Sequence, residues 1–249
     1  MSTPSADESA VILTNKLKAK QPFVFLKFGD CTLWWMAGKP VQSANGEVYR
    51  PGIDKELRDA ARTLNSLPHV YFGDQLTCSS GPYLEKEQHQ LVRWTPNAWT
   101  RDSRWVHFET LLLHRLTPEL LEFYRVLKAR PRKLFCGGTH LIQAADMLGC
   151  SRFGWVLPVD SHNSHSRTDS ICKFLINGAQ HQNPTGEPWE ILLLAAGHGS
   201  KLIAATLASK FPDRTIIELG SALDPLFVGR TRSEQVSQEA AREYFKELL

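Results

Sequence analysis

Gly197-His198-Gly199-Ser200-Lys201 stands between two apolar runs, Ile191 to Ala196 and Leu202 to Ala208. Small residues between a buried strand and a helix start leave the first N–H groups of the helix open to an anion, and the helix dipole favours negative charge there. Phosphate is the common occupant of such a turn. The next apolar run, Thr215 to Gly220, carries Glu218, 21 residues beyond Gly197. That is near the spacing at which an acid meets a ribose hydroxyl in nucleotide-binding βαβ units. A nucleotide is therefore the first ligand to consider. The same pattern also serves a βαβ unit whose glycines only permit a tight turn and close helix packing.

Two more clusters fall where apolar runs end, Lys27-Phe28-Gly29-Asp30-Cys31-Thr32 and Pro158-Val159-Asp160-Ser161-His162-Asn163. Open parallel sheets bind ligands outside the carboxyl ends of their strands. If the clusters converge there, Asp30, Asp160, Glu218 and Asp224 stand beside a helix N-terminus, a set suited to a nucleotide diphosphate with or without a divalent cation. Asp30 fits a helix-capping role equally well. Glu47, Asp74, Glu109 and Asp160 each sit near a strand end, turn or helix face and are candidates for a general base. His198, inside the glycine turn, is placed to touch a diphosphate. Asp160, His162 and His165 imitate a metal motif, but a Ser/Asn-rich loop offers no further ligand at zinc spacing.

The elements that must position these groups alternate. An N-terminal helix through AVILTNKLKAK leads to a strand over Phe23–Phe28, with a helix or turn from Thr32 to Met36. Apolar residues recur at helical spacing from Ile53 to Leu67, and His69–Phe72 reads as a strand. Residues 74–104 form a long irregular insertion. Helices are expected over Trp105–Leu116 and Glu119–Ala129. Strands at 133–136, 153–159, 191–195 and 215–219 then alternate with helices at 139–148, 167–176, 200–210 and 233–249. This alternation predicts a single α/β domain over residues 1–249, with a doubly wound, mostly parallel sheet covered on both faces.

Composition excludes several classes. The 249 residues are 42% hydrophobic and 22% charged, a globular balance. No apolar run reaches membrane-span length, and MSTPSADESA has neither a basic nor an apolar leader region. A cytoplasmic protein is expected. Five cysteines, scattered and never in a C-x-x-C pair, argue against a disulfide framework. The net charge of +3 does not by itself imply nucleic acid. Arg93, Trp94, Trp99, Arg101, Arg104 and Trp105, however, interleave guanidinium and indole groups, the mixture that stacks on bases or sugars and holds phosphates. Tryptophans as core anchors with arginines as a solvated rim account for the same residues.

Phe25-Leu26-Lys27-Phe28-Gly29-Asp30, followed by Leu33 and Met36-Ala37-Gly38, resembles the R-[FY]-G-D-G-E segment that opens glycosyltransferases of the GT-D fold. LLLAAGHGSKLIAATLA and IIELGSALDPLF are similar to that family's G-x-x-A-x-x-L-A-x-x-L and D-[IL]-G-x-x-x-D stretches. Leu157-Pro158 through Asn163 to Asp169-Ser170-Ile171 resembles its P-x-x-N and D-x-I stretch. The pieces span most of residues 22–228 in the family's order. The resemblance implies a Rossmann-like fold and a nucleotide-sugar donor, usually UDP-linked. Gly197, His198, Gly199, Ser200 and Lys201 would cradle the diphosphate, Glu218 the ribose, with Lys27, Gly29, Thr32, Asn163 and Asp224 completing the donor site.

The resemblance implies Asp30 as a catalytic carboxylate and ligand to Mn2+ or Mg2+; Asp160 and Glu47, candidates by their own positions, are the other catalytic carboxylates, and either of them or Asp224 is an alternative source of a further metal ligand. The family's metal pair is D-x-E, whereas this chain carries Thr32 at the second position, so only Asp30 of that pair offers a charged ligand. Lys27 and Lys201 with the helix dipole are an alternative counter-charge for the leaving diphosphate. The acceptor is a hydroxyl, on a hydroxymethylated base in DNA or on a glycan or protein. An S-adenosylmethionine-dependent methyltransferase and a non-catalytic nucleotide- or nucleic-acid-binding module share the glycine turn and remain the alternatives.

Overall fold

The computed structural model describes residues 3–43, 46–74, 77, 104–138, 141–150, 155–158, 164–180, 188–227 and 237–249. Seven strands form one sheet: β1 (Val24–Lys27), β2 (Val70–Asp74), β3 (Trp105–His107), β4 (Lys133–Gly137), β5 (Trp155–Pro158), β6 (Ile191–Ala195) and β7 (Thr215–Glu218). Their order is β3-β2-β1-β7-β6-β4-β5, and every pairing is parallel. β1, β4, β6 and β7 are buried along their whole length. This explains why they read as continuous apolar runs rather than alternating ones.

Nine helices among the described residues cover the sheet: α1 (Ala6–Lys18), α2 (Asp30–Met36), α3 (Ile53–Ser66), α4 (Pro118–Ala129), α5 (Ile142–Met147), α6 (Thr168–Gln180), α7 (Gly199–Lys210), α8 (Asp224–Phe227) and α9 (Gln238–Tyr244). Residues of α2, α3, α6 and α7 pack into the core on one face. Those of α1, α4, α5, α8 and α9 pack into the core on the other. The protein is thus a doubly wound α/β fold of Rossmann-like type.

Local chemistry sets the ends of these helices. Ser5 and Glu8 form a capping box at α1, with Glu8 N–H donating to Ser5 Oγ at 3.2 Å and Ser5 N–H to Glu8 Oε2 at 2.7 Å. Thr117 caps α4, and Pro118 occupies its first turn. In α3 the buried residues Ile53, Leu57, Ala60, Ala61 and Leu64 follow the helical period and make one apolar stripe. α7 is buried on nearly every side, because the sheet, α3 and α6 all lie against it.

The fold also corrects the reading of 105–116 as a helix. Trp105–His107 is instead an edge strand paired with Phe72–Asp74, followed by turns and a short 3-10 segment at Leu113–Arg115. Three consecutive β-favouring or half-buried side chains beside an open sheet edge outweigh the apolar spacing that follows them. Tyr124, fully buried, anchors the downstream turn by donating to Leu111 O at 2.8 Å. Of the expected terminal helix 233–249, residues 237–249 are described: α9 begins after Ser237, whose side chain accepts from Ala240 N–H, and ends at Tyr244, so 245–248 are turn rather than helix. The expected insertion at 74–104 lies mostly outside the described residues.

The switch point of the winding lies between β4 and β6. β4 and β6 stay paired to their last residues, Gly137 beside Ala195, but the helix after β4 covers one face and the helix after β6 the other, the arrangement at which open α/β sheets bind ligands. No helix among the described residues is long and apolar enough to cross a membrane.

Two predictions follow from buried polar groups in β4. Lys133 is fully buried, and its ammonium donates to Lys128 O at 3.0 Å and to Arg130 O, closing the last turn of α4. Replacement by methionine leaves those carbonyls without a donor and should lower stability by about 1–3 kcal/mol, read as a fall in urea midpoint at constant slope. Burial pushes the Cys136 thiol up to about 12, whereas in the unfolded chain it ionises near its ordinary value of about 8.5. Its contribution is complete below that ordinary value and lost as pH rises towards 12. The stability of the native sequence relative to Cys136→Ala should therefore decline steadily from pH 9 upward in paired urea melts.

Candidate functional site

Glycine is required at the turn between β6 and α7. Gly197 has φ +53°, and a Cβ there would lie 2.5 Å from the carboxyl carbon of Glu47. Gly199 opens α7, and a Cβ on it would meet His165 N at 3.0 Å. Ser200 Oγ accepts from Ala196 N–H at 3.1 Å, and Ser164 Oγ donates to Ala196 O. The turn is thus gripped from within by Ser200 and from the 3-10 segment Ser164–Arg167 by Ser164.

An anion does sit on this turn, and it belongs to the chain itself. The Glu47 carboxylate accepts the His198 N–H at 3.1 Å and 3.3 Å from its two oxygens. His198 Nε2 lies 3.6 Å from Oε2, and His165 Nδ1 lies 3.6 Å from Oε1. Those separations are too long for hydrogen bonds. Glu47, His165 and His198 are all buried, at 1%, 2% and 5% exposure, and no Lys or Arg among the described residues pairs with Glu47. A buried carboxylate without a cation is a costly arrangement.

Thr32 ties the tip after β1 to this cluster, its Oγ1 standing 2.9 Å from His198 Nδ1. With Thr32 as donor, Nδ1 is the unprotonated nitrogen and the Nε2–H faces Glu47. Trp35 fixes both imidazoles. Its ring stacks on His198 at 4.0 Å and 29° and meets His165 edge-on at 5.3 Å. The Trp35 Nε1–H donates to Val41 O at 2.7 Å, anchoring the start of the segment that carries Glu47.

A second polar group lies behind the first. Glu218, assigned from sequence to a ribose, has one oxygen on the Lys27 N–H at 2.8 Å and the other on the Lys201 ammonium. Lys201, assigned to a diphosphate, is 5% exposed and held in that ion pair. The β1–β7 ladder pairs Val24 with Ile216 and Phe25 with Ile217 and goes no further. The Glu218 side chain supplies the acceptor that the missing rung would have given. Lys27 Nζ reaches Leu219 O at 3.4 Å and lies over the Phe108 ring.

Of the remaining expected residues, Asp30 begins α2 after Gly29, is half-buried, and accepts from Cys31 N–H at 2.8 Å. Asp224 starts α8 and is half-buried. Asp74 is buried and accepts from Thr3 Oγ1 at 2.7 Å. Asp160, His162 and Asn163 lie outside the described residues, as do Arg93, Trp94, Trp99 and Arg101. Arg104 closes the end of α3, donating to Asn65 O at 3.1 Å and Leu67 O at 3.2 Å. Trp105 is 9% exposed and packs against Phe72. These two serve the fold in this structure.

Among the described residues no three His, Cys, Asp or Glu side chains are grouped to hold a metal ion. The Thr32 hydroxyl, where the resemblance calls for a second carboxylate, bonds His198 instead. The described residues therefore do not fit a divalent-cation site. Sequence reasoning gave no role to Trp35 and dismissed His165. Neither carries a local signal, since what matters is their approach to residues far away in the chain.

The class defined by this geometry is an open, doubly wound α/β sheet with an anion-accepting glycine turn at its carboxyl edge. Comparison with protein-family models, with curated proteins and with solved structures found no match in any of the three.

The Lys201–Glu218 pair yields a direct test. Lys201→Met leaves a buried carboxylate without its cation and should cost about 3–5 kcal/mol in the absence of any ligand. The double variant Lys201→Met/Glu218→Leu should recover part of that loss in denaturant melts. If Lys201→Met keeps full stability, the pair is not structural.

Proposed function

We propose that this protein is a glycosyltransferase that moves a sugar from a nucleotide-sugar donor, UDP-linked by the likeness of its motifs, to a hydroxyl acceptor. One contact carries the reading. The Thr32–His198 bond at 2.9 Å joins the two segments that resemble the family's opening and closing motifs, far apart in sequence, at the carboxyl edge of the sheet, where doubly wound folds bind nucleotides. Further support comes from the α7 turn, which already accepts a carboxylate on a main-chain N–H.

In the transfer, the bond from the anomeric carbon to the diphosphate oxygen breaks, and the acceptor oxygen forms the new bond as it loses its proton. The α7 N-terminus and the two imidazoles would stabilise the departing diphosphate. Lys27 and Lys201 are less suited to that task because both are engaged within the protein. Asp30, half-buried at the tip after β1, would orient the sugar, and Glu47 is a candidate to take the acceptor proton. No step is assigned to a metal. Two of the six Arg and Trp residues proposed for a DNA acceptor serve the fold, so glycan and protein hydroxyls stand beside a hydroxymethylated base as acceptors.

Thermal melts with UDP-glucose, UDP-N-acetylglucosamine and S-adenosylmethionine, each with and without Mn2+, test the reading. A bound donor at a hundred times its Kd should add about 2.7 kcal/mol, and slow hydrolysis of that donor without acceptor should accompany it. Stabilisation by S-adenosylmethionine alone would overturn the proposal in favour of a methyltransferase. Stabilisation by UDP-sugars with no turnover on any hydroxyl acceptor would leave a binding module.

A further inference from the structure

We infer that the α7 N-terminus is a phosphate site whose resident anion is Glu47, an internal ligand that an incoming phosphoryl group must displace. The inference rests on the donor reading only for what lies beyond the phosphate.

Three observations lead to it. The carboxylate lies across the turn, sharing the His198 N–H between its oxygens at 3.1 Å and 3.3 Å, where a phosphate oxygen would lie. A phosphate placed on the same N–H would face it at contact distance, and two anions do not share one donor in a buried site. Entry of one requires departure of the other.

The occupant also leaves a polar atom of the site unmet. His165 Nδ1 is buried, has no hydrogen-bond partner, and stops 3.6 Å from Glu47 Oε1. His198 Nε2 stops equally short of Oε2. A planar carboxylate meets the main-chain donor and leaves the buried His165 Nδ1 without a partner. A tetrahedral phosphoryl group carries more oxygens and a greater span, enough to bring the N–H and both imidazoles to bonding distance.

Finally, Glu47 is built to leave. Gly46 and Gly52 flank it with φ of +79° and +86°, conformations suited to a hinge. Between them Glu47 is the only buried residue, while Val48 is 59% exposed. Its local bonds, Glu47 N–H to Ser43 Oγ at 2.9 Å and Ser43 N–H to Glu47 O at 3.3 Å, lie within the same loop. Tyr49, half-buried against Trp35, and Arg50, which donates to His165 O at 3.2 Å, hold the far end of the strap, so the withdrawal is that of the Gly46–Val48 end, where Glu47 alone is buried.

Titration calorimetry with inorganic pyrophosphate and with UDP, on the full chain and on Glu47→Gln and Glu47→Ala, tests this, together with hydrogen exchange of residues 46–52 in the native sequence. Removing the internal competitor should tighten pyrophosphate binding about tenfold or more in Glu47→Ala, with Glu47→Gln between. Pyrophosphate should speed exchange over 46–52. Unchanged or weaker binding in both variants, no binding to any of the three proteins, or slowed exchange over 46–52 would each overturn the inference. Should a variant fail to fold by circular dichroism, exchange in the native sequence decides alone. Pyrophosphate displacing the strap while no nucleotide sugar binds would sink the glycosyltransferase and leave this site standing. A nucleotide sugar that binds without altering exchange over 46–52 would do the reverse.

Discussion

Glu218 accepts a main-chain N–H from β1 with one oxygen and the Lys201 ammonium with the other, and so joins two strands and a helix at one point. The carboxyl edge of the sheet depends on this junction. Where the β1–β7 ladder stops, strands begin to part, and without a bridging acceptor the Lys27 N–H would be a buried donor with nothing to meet. The bridge lets the edge open while it stays rigid. It also fixes the first turn of α7, and with it the height at which Gly197 and His198 stand above the sheet.

Upon that platform the chain places a second carboxylate with a different character. Glu218 is matched by two short-range partners, one of them a full positive charge, whereas Glu47 is met by one N–H and two imidazoles held off at 3.6 Å. Two buried acids, one on the His198 N–H and one on the Lys201 ammonium of the first turn of α7, thus do opposite things. One is saturated and belongs to the architecture. The other, met by a single main-chain N–H, sits on a loop rather than a strand.

Much of this could be read from the residues alone, for reasons that are local. Buried parallel strands are continuous apolar runs, so β1, β4, β6 and β7 were visible, and the glycines of the α7 turn announced the need for close approach. Ser5 with Glu8 and Thr117 with Pro118 declared two helix starts by their side-chain chemistry. Trp105–His107 was misread because an edge strand of three residues is defined by the neighbour it pairs with, not by its own period. The cluster of Thr32, Trp35, Glu47, His165 and His198 was only partly legible. Thr32, Glu47 and His198 stand out by position or type, but their meeting depends on sheet order, and the part played by Trp35 depends on ring stacking that no spacing encodes.

The central position of β1 has a consequence for how the chain reaches this structure. Its flanking partners are β2, nearby in sequence, and β7, almost the whole chain away, with Val24 beside Ile216. During synthesis the first strand to emerge must therefore wait with one edge uncovered until nearly the last strand has left the ribosome. Distant pairing of this kind slows folding and exposes strand edges to association. Premature termination before Thr215 would strip β1 and β6 of a shared neighbour at once, leaving two apolar edges at the middle of the sheet rather than a shortened but sound fold.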